Sequence, residues 1–143
     1  MSTRAVIEDL LGRIGTGDPD LVAQAYAEKV DWRLDWPEDE HGADVPWIRV
    51  RQSRADVADH YRTLAEHHDP ALAGVEIDRI LVDGDDAVVM GTLTNTLRHN
   101  GAAYRAHFAL HLTVQDGLVT RHHVYEDSLA VARAWTAPEP VVS

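Results

Sequence analysis

The stretch "AAYRAHFALHLTVQDGLVTRHHVYED", Ala102 to Asp127, decides the fold. Tyr104, Ala106, Phe108 and Leu110 alternate with polar or small residues at the period of a strand, and Asp116-Gly117 separates them from a second strand-like run. The result is a hairpin, and its partners lie upstream. "VEIDRILV" (75–82) and "DAVVMGTLTNTL" (86–97) have the same β-rich composition, and turn signals at Asp83-Gly84 and Asn100-Gly101 join the runs into an antiparallel meander.

The first half of the chain has the helical period instead. Val6, Leu10, Leu11 and Ile14 share one face, "GTGDPD" ends that helix, and Asp18-Pro19 caps and starts a second with Leu21, Val22, Ala25 and Tyr26 on its apolar side. From Val30 the period becomes two, and Val30, Trp32, Leu34 and Trp36 form the inward face of a strand. "PEDEHGADVPWIRVRQ" (37–52) reads as a polar loop able to cover a cavity mouth, with Trp47 as a lid residue. Ser53, with Asp56 three residues on, starts a third helix carrying Val57, Tyr61 and Leu64, and a short helix follows from about Ser128 to Trp135. Helices first and a meander afterwards imply an α+β domain, helices covering one face of a curved, mainly antiparallel sheet.

A length of 143 residues suits a single domain, 1–143, with its core over about 5–135 and a flexible tail at 136–143. The formal charge of −11 leaves no basic surface for phosphates, so nucleic acid is not an expected partner. Without cysteine there is neither a disulfide framework nor a thiolate metal site, and no apolar run approaches the roughly 20 residues that span a bilayer. The expectation is a cytoplasmic protein with no membrane association.

Hairpin turns then sort the polar residues by face. A two-residue loop on Asn100-Gly101 pairs Leu97 with Tyr104, Asn95 with Ala106, Leu93 with Phe108 and Gly91 with Leu110, leaving Thr92, Thr94, Thr96, Arg105, His107 and His111 on the other side. At Asp116-Gly117 two readings compete. A tight turn opposes His107 to Glu126 on the outer face. A bulge at Gly117 pairs Leu110 with His122, Phe108 with Val124 and Ala106 with Glu126, and sets Arg105 opposite Asp127. The bulge is favoured because it yields an opposite-charge pair and leaves a gap at small Ala106, between Asn95 and Glu126, for a ligand.

In that register Glu126 beside apolar residues is a desolvated carboxylate suited to proton transfer, and His122 and Asn95 are placed to assist and to orient a carbonyl. The alternatives are a Glu126 at the sheet edge in water and a His122 held by one structural hydrogen bond. Trp32, Leu34, Trp36, Tyr61, Leu93, Ala106, Phe108, Leu110 and Val124 are the expected wall of an apolar, even polycyclic, ligand site. Asp127 reads as the cap of the last helix. No metal is expected, since His107 and His111 lie about 13 Å apart along a strand, and no glycine fingerprint points to a cofactor.

Three segments, "GDPDLVAQAYAEKVDWRL", "RADVADHYRTL" and "GAAYRAHFALHLTVQDGLVTRHHVYEDSLAV", resemble the nuclear transport factor 2-like superfamily, especially its SnoaL-like polyketide cyclase branch. That resemblance implies a cone-shaped fold, a pocket between sheet and helices, and homodimers through the outer sheet face. It also implies where relatives keep their catalytic groups, and those positions are apolar here. Leu10, Leu34 and Leu110 stand where ketosteroid isomerases hold a tyrosine and two aspartates. Gly91, Leu93 and Val124 replace the limonene epoxide hydrolase network, and the cyclases' histidine and aspartate fall near Leu110 and Val124. The expected activity is cofactor-independent acid-base chemistry by Glu126, His122 and Asn95 on an apolar carbonyl compound such as a polyketide: a cyclase, isomerase or dehydratase. The competing expectations are a non-catalytic ligand-binding module and a dimerisation module of the same fold.

Overall fold

Ser2 and Gly17 bound the first helix: the Ser2 hydroxyl accepts from Ala5 N–H, and Gly17, at φ 73°, closes α1 (Thr3–Thr16) in the left-handed conformation that glycine adopts most easily. The computed structural model describes residues 1–34 and 45–139. Asp18 caps α2 (Pro19–Ala23) through two backbone N–H groups. That helix is shorter than its apolar pattern implied. Tyr26, expected on its face, opens β1 (Tyr26–Leu34) instead, because its carbonyl accepts from Arg54 Nε at 2.8 Å and its position pairs with Val119 of another strand. Trp36 lies outside the described residues, as does much of the expected covering loop.

Ser53 caps α3 (Arg54–His67) by accepting from Asp56 N–H, while the Asp56 carboxylate accepts from Gln52 N–H at 2.8 Å, a near-complete capping box. A single 3-10 turn (Pro70–Leu72) leads to β2 (Gly74–Asp83), β3 (Asp86–Thr96), β4 (Ala103–Gln115) and β5 (Leu118–Glu126). Asp127 then caps α4 (Ser128–Thr136). The sheet order is β1-β5-β4-β3-β2, antiparallel except for the parallel seam between β1 and β5. No helix among the described residues is long and apolar enough to cross a membrane.

Both hairpins differ in register from the expected one, yet the faces survive. Asn95 pairs with Tyr104, Leu93 with Ala106, Gly91 with Phe108 and Val89 with Leu110, a two-residue shift that preserves side-chain facing. The loop is longer because Asn100 is only 4% exposed and its amide is committed elsewhere. Nδ2 donates to the carbonyls of Ala134 and Ala137 at 2.8 and 3.0 Å, and Oδ1 accepts from Ala102 N–H at 3.0 Å. Leu97 N–H bonds Ala102 O instead, closing a four-residue loop. Asn100→Ala strips the last turn of α4 of that donor and is expected to cost about 1–3 kcal/mol. Denaturation midpoints and faster amide exchange around Ala134–Ala137 check this.

At Asp116-Gly117 the turn is the tight one: Gln115 pairs with Leu118, and both turn residues have positive φ, 52° and 77°. The expected bulge at Gly117 is therefore absent. An extra residue, Thr120, enters β5 instead, between Val119, which pairs with Val114, and Arg121, which pairs with Thr113. Without it, Arg121, His123 and Tyr125 would share the inner face with fully buried Val119, placing a guanidinium in the core. The bulge turns His122, Val124 and Glu126 inward, two rows from their expected partners: Glu126 is opposite Phe108, Val124 opposite Leu110 and His122 opposite Leu112. Asp127 thus sits beside His107 and not opposite Arg105: its N–H donates to His107 O at 3.1 Å.

The Phe108 row depends on Gly91. A Cβ there would collide with the backbone carbonyl of Glu76 and stand 3.1 Å from Phe108 Cζ. β2 skips a residue at this row, between Ile77 and Arg79, so its main chain cannot withdraw without losing pairs on both sides. Gly91→Ala is expected to destabilise the protein by about 2–3 kcal/mol, the scale of an overpacked core, with lowered denaturant midpoint and unchanged slope.

Candidate functional site

The helices and the inner face of the sheet enclose an apolar cavity of about 280 Å³. Leu34, Leu93, Phe108, Leu110 and Val124 line it from the sheet, Leu11, Ile14, Tyr61 and Leu64 from the helices, and Asn95, His60, His122 and Glu126 supply polar groups. This volume is at the lower end for ligand sites and suits a mono- or bicyclic molecule rather than the polycyclic one expected from the aromatic residues. The polar residues fall at two separate poles.

One pole is built around His122. The parallel seam sets Trp32 beside it on β1, and the two rings stack at 3.8 Å with an interplanar angle of 5°. Tyr26 Oη lies 2.7 Å from His122 Nδ1. His60, from α3, meets Trp32 edge-on at 4.7 Å, and Tyr61 follows it in sequence. Burial first, then the neighbouring His60 and His123, pushes the His122 pKa well below its ordinary value. Burial and the Arg51 guanidinium bring His60 down to about 3. Both imidazoles are therefore neutral at pH 7, and burial holds Tyr61 protonated by raising its pKa to about 12.

The other pole is a hydrogen-bonded chain leading outward from Asn95. Asn95 Nδ2 donates to Tyr104 Oη at 3.2 Å, and Tyr104 Oη lies 2.7 Å from His68 Nε2, whose Nδ1 lies 2.7 Å from Leu64 O. A carbonyl only accepts, so Nδ1 carries the proton, Nε2 accepts, and Tyr104 is the donor to it. Burial raises the Tyr104 pKa, and the nearby Glu126 carboxylate raises it further against the Asn95 hydrogen bond. Glu126 is half-buried on the same cavity wall.

Of the residues selected from the sequence, Glu126, His122, Asn95, Leu34, Tyr61, Leu93, Phe108, Leu110 and Val124 meet at this cavity. Trp32 backs His122 without lining the wall, and Ala106 is fully buried in the adjoining core opposite Leu93, so no gap at Ala106 joins Asn95 to Glu126. The two-row shift that moved Ala106 is the reason. Trp47, expected as an exposed lid, is 4% exposed, forms part of the wall and packs on His68 at 4.7 Å. His60, Tyr26, Tyr104 and His68 were not selected. His60 was visible in principle, three residues after Val57 and four before Leu64 on the inward helix face. Tyr26 was hidden by the helical reading of its segment.

The outer sheet face is polar with an apolar centre. Thr92 bonds His107 at 3.0 Å, and Asp86 accepts from Thr113 at 2.6 Å and pairs with His111 at 2.9 Å. Between them, Leu81, Val88, Ala109 and Tyr125 line a shallow concavity of about 470 Å³ beside exposed Met90.

Residues 7–122 match the family model of the SnoaL-like domain. Several solved structures share the fold. An NTF2-like protein from Burkholderia thailandensis E264 is 20% identical, with a TM-score of 0.81 over 96% of this chain and 99% of that one. A LEH-like epoxide hydrolase of M. tuberculosis is 16% identical, with a TM-score of 0.70 over 93% and 88%. A hypothetical protein of ketosteroid isomerase-like fold from Catenulispora acidiphila DSM 44928, solved with trimethylamine, is 10% identical, with a TM-score of 0.64 over 82% and 84%. At these identities the likeness establishes the fold alone. No curated protein matches the sequence.

Proposed function

We propose, from the premise that this chain belongs to the SnoaL-like domain family, that it is an enzyme catalysing cofactor-independent acid-base chemistry on a small, neutral, carbonyl-bearing apolar molecule. Cyclisation, isomerisation and dehydration, the last two by proton removal beside a carbonyl, are the reaction types in view. The observation carrying this reading is the presence of a carboxylate, an imidazole and a carboxamide on the wall of one otherwise apolar cavity. Glu126 moves the proton, Asn95 donates to the developing oxyanion, and His122 holds the far end of the ligand. His122 and Glu126 are about 13 Å apart along β5. They therefore address opposite ends of the substrate.

A second reading, a non-catalytic binding module, is favoured by one observation: Leu34, Leu93, Leu110 and Val124, where relatives are expected to keep ionisable groups, are apolar cavity wall here. A panel of bicyclic and polycyclic ketones, offered to wild type and to Glu126→Gln, separates the two. Turnover that is lost in the variant supports the enzyme, and turnover unchanged in the variant removes Glu126 from the mechanism. Saturable binding without turnover across the panel favours the module. The expected homodimer is part of the proposal, through the outer face, where Met90 and Tyr125 remain 41% and 45% exposed.

A further inference from the structure

The Asn95 pole is tied to a residue that does not line the cavity. His68 follows the last residue of α3 and is 5% exposed. Its backbone is clamped to the end of β3 and the loop beyond: Arg98 N–H donates to His67 O at 3.0 Å, Asp69 N–H donates to Thr96 O at 2.9 Å, and His68 forms a bridge with Leu97. Trp47 packs on the imidazole at 4.7 Å. Leu64 O takes both the His68 backbone N–H, at 3.1 Å, and ring Nδ1, at 2.7 Å. The ring therefore has one place and one tautomer, with its proton on Nδ1.

That tautomer propagates inward. Nε2 offers a lone pair 2.7 Å from Tyr104 Oη, so the phenol proton is committed to it. Tyr104 lines the cavity, yet it has no proton left for a ligand and can only accept. The nitrogen and oxygen of a carboxamide are nearly the same in shape, and by size alone either could stand 3.2 Å from Tyr104 Oη. Hydrogen bonding decides between them: two oxygens with no proton between them repel, whereas Nδ2 donates. Among the described residues Asn95 makes no other side-chain hydrogen bond, which leaves its second N–H and Oδ1 for a ligand in the cavity it lines.

We propose that His68 is a positioning residue which, acting through Tyr104, sets the way the Asn95 carboxamide faces, so that Asn95 and not the Tyr104 phenol is the donor to a ligand carbonyl at this end. The proposal rests on the acid-base reading for what Asn95 does there, while the orientation itself does not depend on it. In enolisation the α-C–H bond breaks and its proton goes to the Glu126 carboxylate. The C–H electron pair becomes the new C=C bond as the carbonyl π pair moves onto oxygen, and Asn95 N–H donates to that oxygen as it gains negative charge. Return of a proton from Glu126 to carbon reverses the electron flow, and after exchange of the Glu126 proton with D₂O the carbon receives deuterium. A carboxamide turned over would bring Oδ1, an acceptor, to the place of that donor and repel the developing charge.

The first measurement needs no ligand. Ring ¹⁵N spectra should show His68 protonated on Nδ1, and side-chain ¹H–¹⁵N spectra should show one Asn95 amide proton moved downfield by its bond to Tyr104. In His68→Phe, which keeps a ring against Trp47, the released Tyr104 proton turns to Asn95 Oδ1 and the downfield signal is lost. In His68→Gln, whose Oε1 replaces the Nε2 acceptor, it is retained. Tyr104→Phe, the same shape without the hydroxyl, should also lose it and serves if His68→Phe does not fold. A His68 proton on Nε2, or an Asn95 signal unchanged in His68→Phe, overturns the proposal. The second measurement is deuterium uptake at the α-carbon of 1-tetralone in D₂O. His68→Phe is expected to lower kcat about tenfold or more with KM within about threefold, His68→Gln to stay within about threefold of wild type, and neither His68→Phe nor Tyr104→Phe to cost more in an Asn95→Ala background. A further loss on adding Tyr104→Phe to Asn95→Ala would make the phenol itself the donor and overturn the proposal. Wild-type protein that takes up no deuterium tells against the acid-base reading, and the orientation is then decided by the spectra alone.

Discussion

Between pH 7.5 and pH 5 the free energy of unfolding is expected to fall by about 2 kcal/mol from buried His60 alone, with buried His122 acting in the same direction. His60 has a folded pKa of about 3 and His122 one well below its ordinary value, both principally through burial. In the unfolded chain each titrates near 6.5. As the pH drops below that value the unfolded state binds protons that the folded state refuses, so stability falls by about 1.4 kcal/mol per pH unit for each histidine until the folded pKa is reached. Above pH 7.5 neither state is protonated and the contribution is flat. His68, also lowered, acts in the same direction. The carboxylates of Asp31, Asp59 and Asp86, whose pKa values are lowered by hydrogen bonds and cationic neighbours, add stability that disappears only at more acidic pH. Urea denaturation at half-unit pH steps reads the slope directly, and at an m-value of about 2 kcal/mol per M the midpoint should move by at least about 1 M. A level curve between pH 7.5 and 5 would mean that these imidazoles charge within the fold.

Glu126→Gln is expected to lower turnover of an accepted ketone by about 10²–10⁴-fold, the range that a positioned acid or base contributes. Glutamine preserves the length, the planar end and a hydrogen-bonding oxygen, but it cannot take a proton. Ligand affinity should therefore stay within a few-fold of wild type, which is the signature of an interaction needed in the transition state and not in the ground state. Equal losses in affinity and turnover would instead assign Glu126 to ligand binding. Glu126 ends β5, one residue before the Asp127 cap, and stands opposite Phe108 on the wall that Tyr104 also lines.

The polar groups of the cavity fall into two sets. Asn95 and Glu126 belong to the pole reached by Tyr104 and His68, and His122 to the pole formed by Tyr26, Tyr61 and His60. Neutral imidazoles and protonated phenols at one end, with a single carboxylate at the other among the described residues, disfavour an anionic ligand and suit carbonyl or hydroxyl groups.

Periodicity in the sequence was sufficient for the elements, the α+β class and the face on which most candidate residues lie, because side-chain facing in a strand depends only on parity. Asn95, Phe108, Leu110, His122, Val124 and Glu126 all face the cavity, although every expected cross-strand partner was two residues away. Row position depends on turn length, and turn length was set by distant contacts. Asn100 could not occupy a two-residue turn once its amide was drawn to the carbonyls ending α4. Likewise, Gly117 did not bulge. Thr120 did, because the strand that keeps Val119 in the core must reverse its facing before Arg121. Tyr26 became a strand residue only when β5 and Arg54 supplied partners for its backbone. Local patterning, which costs nothing to form at short range, thus determined what each segment is and which side it buries. The pairing of rows, and with it the meeting of Tyr26, His60 and His122, needed contacts between residues 28 to 96 positions apart, whose hydrogen-bonding and burial demands only the assembled tertiary structure can satisfy together.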